Sequence, residues 1–543
     1  MSPSSSIEKP QSPVVQPVGS TLSPGTPHDS VPRAATSNSF GSGNKLAPTI
    51  TETSCPEALA RSFSRKKKWI ILFIIFVVQV SMNMNVGIFA NAQAGIAKEF
   101  GRTYDEAAWG AGLFLITYAF GCELWAPWSE ELGRKYVLQA SLGLVNLMCF
   151  PVIFNNGMFS RIIVARAFGG IFSAGGSVTL GVVSDMYTAD QQEGPLAFIV
   201  LSSVAGSIVG PILGGFLEAN YSWRWTIWAQ FILGVLVQAS HLFFCGETRS
   251  TVLLDRRAAK LRKLAPANAT SYVGPTEHRS WRDYFKMKEV FTIWLRPFKM
   301  LLTEPIVFWL SLLSGFSDAL IFMMIQSFGA VMKDVYKFST IQAGLAFLSF
   351  GFSYIVAYGL YLWVIKRNRK VRERNPGSEK AQYESRLWWL LWCAPLLTFG
   401  LFLFAFVVNP AIHWIVVMLA CLFIGVANYT VYMTTIDYMV KAYGDYSASA
   451  TGGNGFMRDL LAGVLTFANG PYWRSIHSLT SDNVKALRIG NVVWAAVSVP
   501  LVCAVFYIYA MGPRMRRRSP FAQKLANEQI ELERSQLEQL RSV

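Results

Sequence analysis

The chain has 543 residues, of which 52% are apolar and only 15% charged, and its formal net charge is +16. The apolar residues are not spread as in a set of soluble domains but gather in blocks of about twenty, enough at about 1.5 Å each to cross a bilayer core of about 30 Å. That distribution excludes a soluble globule and points to a protein that crosses the membrane many times.

Taken in chain order, residues 1–64 are a tail rich in Ser, Pro and Thr, as in "SPSSSIEKPQSP". It has too little apolar material to pack and reads as a disordered cytoplasmic segment. No apolar region of the signal-peptide kind lies near the start, so the first span serves as an uncleaved insertion signal. Blocks bounded by charges or turn residues then predict twelve spans, at 69–90, 107–127, 136–155, 160–182, 195–217, 225–245, 303–330, 341–365, 387–408, 411–436, 449–470 and 490–511. The long, basic and polar stretch 246–302 divides them into bundles of six, 65–245 and 303–511, and a cytoplasmic tail, 512–543, follows. That tail contains "AQKLANEQIELERSQLEQL", which has a weak helical pattern and no assigned function. Asn268, Ala269 and Thr270 match a glycosylation acceptor, but the topology places them in the cytoplasm, where it stays unused.

The positive charge sits at "RKKK" from Arg65, in the 246–302 stretch, in "KRNRKVRER" from Lys366 and in "RMRRR" from Arg514. Twelve spans counted from a cytoplasmic N-terminus put all of these, and the C-terminus, on the cytoplasmic side. The opposite loops hold few cations beyond Arg474, Lys485 and Arg488. This is the positive-inside asymmetry, and it accounts for the net charge without any nucleic acid. The seven cysteines have no paired spacing, and no His, Cys and Asp cluster has ligand spacing, so neither a disulfide frame, a metal nor a cofactor is expected.

Ionisable residues inside spans are costly and need a partner or a function. Arg166 is the clearest cation. Glu123 stands in the second span with Ala119 and Pro127 one turn either side, and is read either as one half of an ion pair or as a proton carrier. Asp318 near the middle of the seventh span is a candidate proton or cation site, and Arg458 with Asp459 reads as a structural pair. Polar and aromatic residues near mid-span are the candidate lining of a central cavity. They are Gln79 and Asn83 on the first span, Phe322 and Gln326 in a stripe with Asp318 on the seventh, and Asn428, Tyr429 and Tyr432 on the tenth.

The fifth span contains "GSIVGPILGG". Gly206, Gly210 and Gly214 fall at four-residue steps on one helix face, with Pro211 and Gly215 beside them. Small residues let membrane helices approach closely, so the run reads either as a packing seam or as a bend where two halves meet. The eleventh span, with "SASATGGNGF" and a Gly-Pro close, is its counterpart and hints at two parallel-related halves. The glycine–proline run resembles the fifth-helix motif of proton-coupled exporters in the major facilitator superfamily. "APWSEELGRKYVL" is similar to that superfamily's loop signature, with Glu130 at the acidic position, Gly133, Arg134 and Lys135 at the core, and Ala126 where glycine is usual. "RAFGGIFSAGGSV" resembles its fourth-helix motif, with Arg166 as the buried arginine. "ETRSTVLLDRRAAKLRK", "RPFKMLLTEPIV" and "YSASATGGNGFMRD" are similar to fungal drug:proton antiporters.

The resemblance implies an all-α major facilitator fold of two six-helix bundles and export of a small organic molecule against protons. It further implies rocking of 65–245 against 303–511, with Glu130 and Arg134 helping to latch the cytoplasmic face. The expected partners are the substrate, protons and the lipid bilayer, around a monomer in the plasma membrane or else a vacuolar or vesicular one. Polyamines, drugs and a secondary metabolite all fit as substrates. An importer of a nutrient or organic acid on the same fold, or a sensor without turnover, is the alternative. An enzyme is not expected, because no clustered catalytic site is visible, and no phosphate loop for ATP occurs.

Overall fold

The computed structural model describes residues 49–188, 191–264, 272–277, 287–480 and 482–523. Residues 1–48 of the expected tail, the Asn268 acceptor and the weak helical pattern after residue 523 lie outside them, whereas residues 49–64, expected to be disordered, are packed, because Ile50, Cys55 and Leu59 give them an apolar face to bury. Twelve long helices run through the described residues. They are α1 (Arg65–Phe100), α2 (Tyr104–Leu132), α3 (Arg134–Ile153), α4 (Phe159–Met186), α5 (Glu193–Asn220) and α6 (Arg224–Phe244), then α7 (Pro305–Tyr336), α8 (Thr340–Arg374), α9 (Trp388–Val407), α10 (Trp414–Tyr443), α11 (Ser447–Leu479) and α12 (Asn483–Arg518). Each falls on a span expected from the sequence; seven contain that span whole, and α3, α6, α7, α9 and α10 stop one to three residues short of it at one end or both.

Local chemistry sets the ends. The Ser64 hydroxyl accepts the Lys67 N–H before α1, and Gly101, at φ +62°, closes that helix. Thr103 and Glu106 form a reciprocal capping box at the start of α2. Pro305 opens α7, where its missing N–H costs nothing. Eleven helices among the described residues are long and apolar enough to cross a membrane. The remaining one, α11, is long but carries Asn454, Arg458 and Asp459 buried along its length. Its polar groups face protein rather than lipid, which is why composition alone under-reports it.

The packing repeats. Helix α1 lies on α5 and α6, α2 on α4, and α3 on α6; in the same way α7 lies on α11 and α12, α8 on α10, and α9 on α12. The two sets of six meet along α2 against α11 and α5 against α8. The end of the bundle that holds Arg65, Arg134, Arg374 and Arg518 is called the basic end below, and the other the far end.

Glycines decide the close contacts. A Cβ built at Gly210 would stand 2.5 Å from the Ile88 nitrogen, and one at Gly206 2.6 Å from the Val80 carbonyl oxygen. One at Gly214 would collide with Asn91. All three glycines therefore seat α5 on α1, inside one set of six. Gly215 does something different: its Cα lies 3.4 Å from a Cβ built at Gly344 on α8, so two glycines form the contact between the sets near the far end.

The connection between the sets is more structured than a polar loop. Helix Ser250–Leu264 buries Leu254 and Ala258 against Ile50, Cys55 and Leu59 of the segment before α1. Helix Met287–Thr303 runs under α11 and α2, with the Phe298 ring 4.8 Å from that of Phe456. The mixed charges of "MKEVFTIWLRPFKM" hid this amphipathic helix from a search for apolar blocks.

Candidate functional site

Where α2, α7 and α11 meet, midway through the bundle, the charged residues gather. The Arg458 guanidinium on α11 lies 3.5 Å from the Asp318 carboxylate on α7 and 3.3 Å from that of Asp459. It also stacks over the Tyr432 ring of α10 at 4.2 Å. Around it, Asn428 donates to the Ser317 hydroxyl at 3.1 Å, and Tyr354 donates to the Asn428 side-chain oxygen at 3.3 Å. From α2, in the other set of six, the Cys122 thiol reaches Asp459 at 4.0 Å.

Glu123 follows Cys122 on α2 and is 3% exposed. Its Oε1 has no hydrogen-bond partner among the described residues, and a Cβ built at Gly452 on α11 would stand only 2.9 Å from it. The glycine is what admits the carboxyl group into the seam between the sets. Two carboxyl groups, those of Asp318 and Asp459, thus share one guanidinium, and the unpaired Glu123 stands on the α2 side of the same seam. Arg166 does not serve Glu123. It donates to the Asn85 side-chain oxygen at 2.6 Å and to the Asn85 and Gly110 carbonyls at 3.3 Å, between the rings of Phe89 and Phe114 at 4.2 Å each.

A cavity of about 390 Å³ opens at the far end among α2, α7, α11 and α12. Tyr104, Gln326, Asp334 and Trp473 line it, and the Asp105–Arg474 ion pair spans it from α2 to α11. The size is that of a small-molecule pocket. Gln326 is 6% exposed and its Oε1 has no partner among the described residues, so the wall offers an acceptor. Of the other residues read from the sequence as cavity lining, Tyr432 lies under Arg458, Asn428 is bonded to Ser317 and Tyr354, and Phe322 is packed in the core. Gln79 donates to Ser203 on α5 at 3.4 Å, and Asn83 donates to the Gln79 carbonyl at 2.9 Å within α1. Tyr429 donates to the Ala197 carbonyl at 2.9 Å and so ties α10 to α5.

At the basic end, the loop between α2 and α3 is held inside its own set of six. Gly133, at φ +99°, makes the turn and leaves room for Glu247. The Glu247 carboxylate accepts the backbone N–H groups of Arg134 and Lys135 at 3.0 and 3.2 Å. The Arg134 side chain pairs with Asp185 at the end of α4 at 3.1 Å and with Glu130 at 3.7 Å, and Lys135 donates to the Leu242 carbonyl at 2.9 Å. Links between the sets come from elsewhere. Glu193 at the start of α5 binds Arg372 at 2.7 Å and Arg386 at 2.8 Å, and Arg386 also pairs with Asp437 on α10. All four are buried, and their charges balance. The Arg134–Asp185 and Arg386–Asp437 pairs both join residues 51 apart, at matching places in the two sets. That repeated spacing was available in the sequence and would have revealed Arg386 and Asp437.

Comparison with known proteins agrees with this architecture. The Major Facilitator Superfamily profile matches residues 71–466. The transporter paaT of Penicillium rubens is 28% identical over 484 residues, covering 87% of this chain and 83% of its own. The transporter hepF of Aspergillus oryzae is 28% identical over 409 residues, covering 75% and 80%. The ascochitine biosynthesis cluster transporter of Didymella fabae is 25% identical over 523 residues, covering 93% and 96%. Twelve long helices in two matching sets of six, the glycine seam and a profile match over most of the length agree: the chain belongs to the Major Facilitator Superfamily and is a membrane transporter, not an enzyme.

Proposed function

We propose that this transporter exports a small organic molecule, of the secondary-metabolite or drug kind, in exchange for protons. The observation that carries this reading is the pair of carboxyl groups, Asp318 and Asp459, on Arg458, with the buried and unpaired Glu123 entering the same seam of the two sets of six from α2. Charge neutrality in that water-poor place calls for protons on the carboxyl groups, and opening to water gives them a route out. The relative from an ascochitine biosynthesis cluster supports the substrate class. The positive-inside asymmetry turns the basic end to the cytoplasm and the far-end cavity outward, where a substrate would leave. The bundles 65–245 and 303–511 rock about their shared contacts with 246–302 joining them, and the balanced quartet of Glu193, Arg372, Arg386 and Asp437 holds the basic end shut. Glu130 and Arg134 contribute by fixing the α2–α3 loop within its bundle.

Purified protein in sealed vesicles with an imposed pH gradient, given a panel of organic cations, neutral metabolites and carboxylic acids, tests the reading. Accumulation of at least one compound that collapses with the gradient is expected. Uptake running with the proton rather than against it would make the protein an importer instead.

The glycine seam gives a second test. Gly210→Val forces a branched side chain against backbone atoms of Gly87 and Ile88, which cannot swing aside. Overpacking of about 1–3 kcal/mol is expected, falling on the contact that must survive each change of state. Transport should be lost while surface abundance stays close to that of the parent. Normal flux from this variant would reduce the seam to passive packing.

A further inference from the structure

The connecting helix Ser250–Leu264 carries the cations Arg256, Arg257, Lys260, Arg262 and Lys263. Acids of this chain answer two of them. Arg262 forks onto Glu277 at 2.5 and 2.6 Å, and Arg257 lies 3.8 Å from Glu57. The other three, Arg256, Lys260 and Lys263, form a stripe down one exposed face at intervals of four and three residues. Among the described residues, none of the three has a carboxylate partner. The opposite face is fixed, because Leu254 and Ala258 are buried against Ile50, Cys55 and Leu59. The stripe therefore lies on the face turned away from the segment before α1.

Its depth is set by neighbours on the rim of the bundle. Arg256 donates to the Tyr136 hydroxyl at 3.3 Å, and Tyr136, in the first turn of α3, is 60% exposed. At the same end α6 finishes in Leu242, Phe243 and Phe244, with Phe243 78% exposed. Exposed aromatic residues at the ends of spans mark the level of the lipid headgroups. We propose that Arg256, Lys260 and Lys263 bind the headgroups of anionic phospholipids in the leaflet at the basic end. Lipid phosphates and carboxylates supply the acids that the fold withholds from these three cations, and the docked segment before α1 is thereby pinned to the membrane surface. This inference does not depend on what the protein transports.

The test uses the full-length protein in mixed micelles of a neutral detergent and phosphatidylcholine, with its melting midpoint followed as phosphatidylserine is titrated in. The parent midpoint should rise with phosphatidylserine. R256Q/K260Q/K263Q should need on the order of a hundredfold more of that lipid for the same rise, roughly fivefold for each cation removed. Its midpoint without phosphatidylserine should match the parent's. If loss of the Tyr136 contact disturbs folding, K260Q/K263Q, which removes no hydrogen bond, should still need roughly thirtyfold more. The control K366Q/K370Q/R374Q, which removes equal charge from the basic end of α8, should respond as the parent does. Equal loss in the control, no response in the parent, or the same rise with inorganic phosphate would each overturn the proposal. The first would indicate net charge alone, and the last a site for free anions.

Discussion

Glu123→Gln should abolish the pH dependence of transport, or transport itself, while leaving the protein folded and at the membrane. Glutamine has nearly the volume of a protonated glutamate and cannot ionise. Because Oε1 of Glu123 has no hydrogen-bond partner among the described residues, the substitution breaks no bond at that atom. No cation loses its acid either: Arg458 keeps Asp318 and Asp459, and Arg166 keeps Asn85 and its two flanking rings. A loss of function would therefore be a loss of charge change at that position and not of packing. Flux at two pH values, substrate affinity and surface abundance, measured together, separate these outcomes. Transport that remained driven by the pH gradient would move the proton site to Asp318.

The largest effect on stability is expected from Arg386→Met. Arg386 is 2% exposed and stands between Glu193 and Asp437. Methionine fills much of the same space but leaves two buried carboxylates with Arg372 as their sole cation, and breaking a buried pair in this way costs about 3–5 kcal/mol. Arg386→Lys keeps the charge but loses the planar fork that reaches two acids at once, so it should fall between. The melting midpoint and yield of purified protein should follow the order parent, lysine variant, methionine variant. A methionine variant as stable as the parent would show that the quartet contributes nothing to the closed basic end.

Much of this arrangement was legible in the sequence. Apolar blocks bounded by charges gave all twelve helices, because a bilayer demands a fixed length of apolar chain whatever the fold. The glycine spacing marked a close contact correctly, yet it could not say that Gly210 faces α1 while Gly215 faces α8, since both lie on one helix and only the partners differ. Glu123 could be picked out because a carboxyl group is rare in a span. Its surroundings could not be, because they are set by Gly452, a residue without a side chain on a helix far along the chain. Arg458 and Asp459 were read as a pair, which they are, but their link to Asp318 required knowing that α7 lies on α11. Glu193, Arg372 and Arg386 were missed because each sits near the end of an apolar block, where charges are expected to be solvated.

Helix α11 has a consequence for how the chain is made. Its buried Arg458 and Asp459 each cost about 3 kcal/mol at the centre of an isolated helix entering a bilayer, and its composition falls short of the other eleven. The groups that offset this cost, Asp318 on α7 and the seam of α2, belong to segments synthesised earlier. Helix α11 therefore enters a membrane in which its partners already wait, and it is held there by them more than by lipid. A ribosome stalled far enough past Leu479 for α11 to have left the exit tunnel should hold a chain with ten helices firmly inserted and the eleventh dependent on contacts already formed.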